Sequence, residues 1–115
     1  MRRAFRAVGV LLVVAGVLGF FQNPVLGLFT VDLLHNLVHV TSGALTLLAA
    51  RRGIGTMRTW GKALGLLYFS VAIAGFALPA GYLMGMMHLN LPDNLLHLAL
   101  AAAFAYYGLL APPRL

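Results

Sequence analysis

The sequence has no cysteine, so disulfides, iron–sulfur clusters and thiolate zinc sites are excluded. Acidic side chains are almost as scarce: Asp32 and Asp93 stand against eight Lys and Arg. Charged residues of both signs make up 9% of the chain, where a water-soluble domain carries roughly a quarter. That is too little charge to cover a water-facing surface, so the expected solvent is lipid. A phosphate-binding glycine loop, a Ser–His–Asp array and the zinc-protease helix motif are also missing. The expectation is therefore a protein without enzymatic activity.

What the chain does have is apolar length. Of its 115 residues, 62% are hydrophobic, and they gather in four stretches over about 4–21, 32–50, 60–78 and 93–111. Each is close to the ~20 residues that a helix needs to cross ~30 Å of hydrocarbon. Lipid cannot satisfy exposed backbone groups, which leaves helices as the economical way across. The expected fold is all-α, an integral membrane four-helix bundle forming a single transmembrane domain over 1–115. Arg2, Arg3 and Arg6 ahead of an apolar run also suit a secretory signal. The run closes on Gly19-Phe20-Phe21-Gln22-Asn23-Pro24 with no small-x-small cleavage site, and an uncleaved helix is the better expectation.

The charges orient the bundle. Arg2, Arg3 and Arg6 lie at the start, Arg51, Arg52, Arg58 and Lys62 around the connection between the second and third stretches, and Arg114 after the fourth. With four crossings, all eight fall on one side. Cytoplasmic loops carry such an excess, so both termini are expected in the cytoplasm. The net charge of +6 thus reads as topology and not as a nucleic-acid surface; the partner it implies is the bilayer. The outer loops, Gln22–Val31 and Pro79–Pro92, are apolar. Val25–Phe29 and Leu83–Met87 within them read as short interfacial segments, with Met84, Met86 and Met87 as apolar contacts.

The chain also repeats itself. An offset of 58 residues, without a gap, sets Gly27 on Gly85, Leu33 on Leu91, Asn36 on Asn94 and His39 on His97. Two helical hairpins, about 4–52 and 60–111, are implied. An even number of crossings separates equivalent points, so the hairpins have the same orientation about an axis along the membrane normal.

The matched residues include the polar ones. Asp32, His35 and His39 share one face of the second helix, His35 and His39 being i,i+4. Asn36, Ser42, Gly43 and Thr46 extend that stripe. Asp93, Asn94 and His97 open the fourth helix, followed by Ala101, Ala105 and Gly108. Small residues allow close approach, so helices 2 and 4 are expected to face each other. At ~1.5 Å per residue, His39 lies ~10 Å beyond Asp32 and His97 ~6 Å beyond Asp93, both in the outer leaflet. Ionisable groups at such depth default to a functional reading.

Three chemistries suit the set. His35, His39 and His97 with Asp32 and Asp93 are ligands for a transition metal. His39 and His97, one from each helix, are placed as axial ligands for haem b. The third is a structural clamp, with Asp32 and Asp93 as helix caps and Asn36, Asn94, His39 and His97 hydrogen-bonded between helices 2 and 4. His88, in the outer loop, reads as a surface histidine. An accessory subunit of a larger membrane complex, or of a homo-oligomer, is the remaining reading.

The segments His35-Asn36-Leu37-Val38-His39, with Thr41 and Gly43, and Asp93-Asn94-Leu95-Leu96-His97 resemble a family of small bacterial four-helix membrane proteins catalogued only as a domain of unknown function. The resemblance covers nearly the whole chain. It implies four helices and multi-pass insertion in a bacterial inner (plasma) membrane, and it brings no substrate or cofactor.

Overall fold

A computed structural model describes residues 1–78, 82–83 and 87–113, with backbone only for Tyr82 and Leu83. Gly85, Met84, Met86 and Arg114 lie outside the described residues. The chain is all-helical apart from two short turns: α1 (Arg2–Gly19), α2 (Leu33–Arg52), α3 (Ile54–Ala77) and α4 (Leu91–Ala105). Between α3 and α4, β1 (Tyr82–Leu83) pairs antiparallel with β2 (Met87–His88). Two of the helices, α2 and α3, are long and apolar enough to cross a membrane.

Helix ends differ from the sequence expectation in three places, each with a local cause. First, α3 begins at Ile54 and not near residue 60, so the basic segment Arg51–Lys62 is no loop. Gly53 alone separates α2 from α3, at φ 125 and ψ −178, a conformation essentially reserved for glycine. Arg51 and Arg52 therefore fall in the last turn of α2, and Arg58 and Lys62 in the first turns of α3. Second, α4 starts at Leu91 behind Asn90, with Pro92 in its first turn, where a missing N–H costs nothing. Third, the expected helix end is a π-helical turn, Tyr106–Leu110, closed by Ala111 N–H donating to Tyr106 O (2.9 Å). Pro112 and Pro113 end it.

Packing runs within hairpins. α2 lies along α1 and α4 along α3, while α2 meets α3 less extensively. The small residues serve this pairing, and not the expected α2–α4 contact. Gly9 sits against Gly43 O and Leu47, and Gly65 against Ala105 and Ala101 O. Gly108 of the π turn sits against Gly61 and Lys62. With lipid as apolar as leucine, such close approach, and not apolar burial, is what joins helices in a bilayer.

Structural features recur between the two halves of the chain, but not at a single offset. Asp32 and Asn90 cap α2 and α4, and Val25 bridges Phe29 as Leu83 pairs with Met87; all keep the offset of 58. In α1 and α3, Gly9 corresponds to Gly65 and Gly19 to Gly75, an offset of 56. Two more residues separate Gly75 from the start of α4 than separate Gly19 from the start of α2. The segment between α1 and α2 closes on its own backbone: Val25 N–H donates to Phe29 O (2.8 Å) and Phe29 N–H returns to Val25 O (3.1 Å).

The interior divides by polarity. Phe5, Leu12, Met57, Leu64 and Phe104 fill the half nearer the basic ends, where Phe5 packs edge-on to Phe104 and Tyr107. Buried polar residues fill the half toward the α1–α2 and α3–α4 connections. The exterior is apolar: Leu11, Leu66, Leu109 and Leu110 are each more than 60% exposed.

Candidate functional site

Both polar helices start from firm caps. Asp32 Oδ1 accepts from His35 N (2.9 Å), and Asp32 Oδ2 accepts from His88 N (2.9 Å). Asn90 Oδ1 accepts from Asp93 N (2.9 Å), and Asp93 Oδ2 accepts from Asn90 N (3.0 Å) and from Thr30 Oγ1 (2.8 Å). Asp93 is thus the third helical residue of a capping box, and Asn90 is the cap expected at Asp93. Asn90 Nδ2 also donates to Leu28 O (2.7 Å). Each carboxylate ties one half of the chain to the other. His88 takes part through its backbone and stands outside the histidine cluster.

From equivalent caps, His39 and His97 are each seven residues along, at ~10 Å depth in both helices. His35 reaches across one turn earlier. The three imidazoles meet: His35 Nε2 and His97 Nε2 are 3.3 Å apart, and ring centroids are separated by 4.5 Å (His35–His39), 5.2 Å (His35–His97) and 5.7 Å (His39–His97). One ring nitrogen from each lies within 4.8 Å of the others, and all three residues are buried. The expected α2–α4 meeting therefore occurs through these side chains. Asp32 and Asp93 are not members of this group.

Asn36 and Asn94 do not join across α2 and α4. Asn36 lies against Gly19 of α1, and Asn94 against Gly75 of α3; a Cβ at either glycine would overlap the amide oxygen. The glycine Cα–H takes that place and points at Oδ1, a weak Cα–H···O contact. Neither Oδ1 has a conventional hydrogen-bond partner among the described residues. The asparagines lock each hairpin.

A tyrosine absent from the sequence reading forms the floor. Tyr68, from the middle of α3, is 1% exposed and stacks on Phe104 (5.9 Å, 8°). Its ring lies 5.6 Å from His97 and 6.5 Å from His39. Its hydroxyl is 2.6 Å from Ser42 Oγ, and Thr46 Oγ1 donates to Ser42 O (2.6 Å). Below Thr46 the apolar core closes the column.

His39 Nε2 and His97 Nδ1 are buried with no hydrogen-bond partner among the described residues. Buried polar groups are nearly always partnered, and leaving one unpaired costs about 1–3 kcal/mol. The cluster thus holds ring nitrogens that no protein group among the described residues satisfies.

No curated protein and no solved structure matches the chain. The family profile of a domain of unknown function (DUF4383) matches residues 2–110, and the chain belongs to that family.

Proposed function

We propose that this is a four-span protein of the bacterial inner membrane, with its basic ends in the cytoplasm, that binds one divalent transition-metal ion through His35, His39 and His97 without catalysing a reaction. The observation that carries the metal reading is the convergence of one nitrogen from each of three buried imidazoles within 4.8 Å. Tetrahedral zinc with Zn–N of ~2.0–2.1 Å needs nitrogens ~3.3–3.4 Å apart. The His35–His97 pair already stands at 3.3 Å, so only His39 has to close in. Imidazole ligands suit zinc, copper, nickel and iron. Asp32 and Asp93, held by the cap hydrogen bonds at the starts of α2 and α4, put two carboxyl groups on the helices that carry the histidines, an acidic surround that suits a cation.

Haem b is disfavoured by the same geometry. With His35 3.3 Å from His97, a third imidazole stands where a macrocycle between His39 and His97 has to lie. The pure clamp is disfavoured by the orphaned His39 Nε2 and by the turning of Asn36 and Asn94 away from the α2–α4 gap. The membrane reading is supported by the exposed leucines, by α2 and α3, and by a long axis of 41 Å against ~40–45 Å for a bilayer with its headgroups.

The test is elemental analysis of the full chain purified in mild detergent, without chelators or a metal-binding tag. About one metal ion per chain is expected, reduced at least tenfold in His39→Ala and in His97→Ala. Wild-type protein without metal, and unable to take up zinc or cobalt, leaves the histidines as a hydrogen-bonded clamp.

A further inference from the structure

A pocket of about 180 Å³ opens between α1, the Val25–Phe29 loop and α4. Val14, Ala15, Leu18, Phe29 and Leu96 are among its apolar walls, and His39 and Asp93 are its polar lining residues. His39 is 4% exposed, and its Nε2 is one of the buried nitrogens without a partner. At the rim stand Leu11 and Leu26, 67% and 70% exposed.

We infer that the metal centre keeps an open coordination position facing this pocket, and that the position takes a small, uncharged, largely apolar ligand with one donor atom, entering from the outer half of the lipid. The inference rests on the metal reading above. Closed structural sites use four protein ligands, whereas sites with three leave a position for an exchangeable molecule. Among the described residues the group has three members, and Asp93 is held outside it by Thr30 and Asn90. The space equals that of about six waters and falls short of the ~300 Å³ at which drug-sized sites begin. The ligand is therefore of few heavy atoms.

Charge selects further. No cationic side chain is among the pocket's lining residues. An anionic ligand adds an uncompensated charge among apolar walls, which is strongly unfavourable. A neutral donor does not. The exposed rim leucines, facing lipid in this reading, make the route one that an apolar solute enters by partitioning and that a hydrated ion avoids.

The test uses the full chain in mild detergent, loaded with cobalt(II), whose visible absorption reports coordination. Imidazole is the neutral probe and azide the anionic one, both at concentrations that leave the cobalt bands in place. Imidazole is expected to shift the bands saturably, with azide at least tenfold weaker. Ala15→Phe and Leu96→Phe, which fill the pocket and remove no ligand, are expected to bind cobalt as the wild type does and to weaken the imidazole response at least tenfold. A wild-type spectrum indifferent to imidazole means a closed site and overturns the inference. So does an equal response to azide, or an unchanged imidazole response in both filled variants. Absence of cobalt bands in the wild type is a separate result: it overturns the metal reading itself, and this inference with it.

Discussion

Gly19 and Gly75 meet Asn36 and Asn94 in the two hairpins, and each has room for a hydrogen but not for a methyl group. Gly19→Ala and Gly75→Ala are each expected to destabilise the protein by about 1–3 kcal/mol through overpacking. Asn36→Ala removes the overlapped amide, so the Gly19→Ala penalty is expected to shrink in the Asn36→Ala background. Thermal unfolding of the four proteins in one detergent, read as a double-mutant cycle, checks this. Residues at this scale were unevenly legible. His35, His39 and His97 stood out because ionisable groups are rare in apolar runs and their spacing put two on one face. The partners of Asn36 and Asn94 did not, because a glycine on a neighbouring helix leaves no chemical signature of what rests on it. Tyr68 was hidden because a tyrosine in an apolar helix looks like a lipid-facing ring. Only its mid-helix position, away from the membrane interface where tyrosines gather, hinted that its hydroxyl has an internal partner.

At the scale of elements, connections decide where the charges sit. Gly53 holds the single-residue link between α2 and α3 at φ 125, where a side chain costs about 1–3 kcal/mol. Gly53→Ala is expected to lower the unfolding midpoint with metal stoichiometry unchanged, because the link lies at the basic end, away from the histidines. Asp32→Ala is expected to act differently. It removes the α2 cap, worth about 0.5–2 kcal/mol, and the acceptor for His88 N, and so loosens the turn that carries His35. Lower stability and weaker metal retention are expected together, measured by unfolding and by metal content after dialysis. The helices themselves were readable from apolar length. Their ends were not: a lone glycine is a weak stop signal, the basic residues read equally well as loop or helix, and the early start of α4 depends on the Asn90–Asp93 box.

At the scale of the molecule, two hairpins joined by hydrogen bonds between their connecting segments place a polar half above an apolar half. The offset of 58 was visible because it is carried by the polar helices. The offset of 56 in α1 and α3 was masked, since one aliphatic run aligns with another in many registers, and it emerges only from the glycine contacts. The hairpin symmetry was thus legible, while the assignment of small residues to α1–α2 and α3–α4 needed the packing. Orientation has a direct check, helped by the absence of cysteine. Single-cysteine variants at Arg52 and Leu28 are expected to react with an impermeant thiol reagent from opposite sides, Leu28→Cys from outside intact cells and Arg52→Cys only after the membrane is opened. Labelling of Arg52→Cys in intact cells inverts the proposed topology.

The central claim is that three imidazoles share one ion. X-ray absorption at the metal edge of zinc-loaded protein tests it most directly. About three imidazole nitrogens at ~2.0–2.1 Å are expected, falling by one in His35→Ala, His39→Ala or His97→Ala. A shell lacking imidazole scattering, or one unchanged by all three substitutions, places the metal elsewhere and contradicts the account.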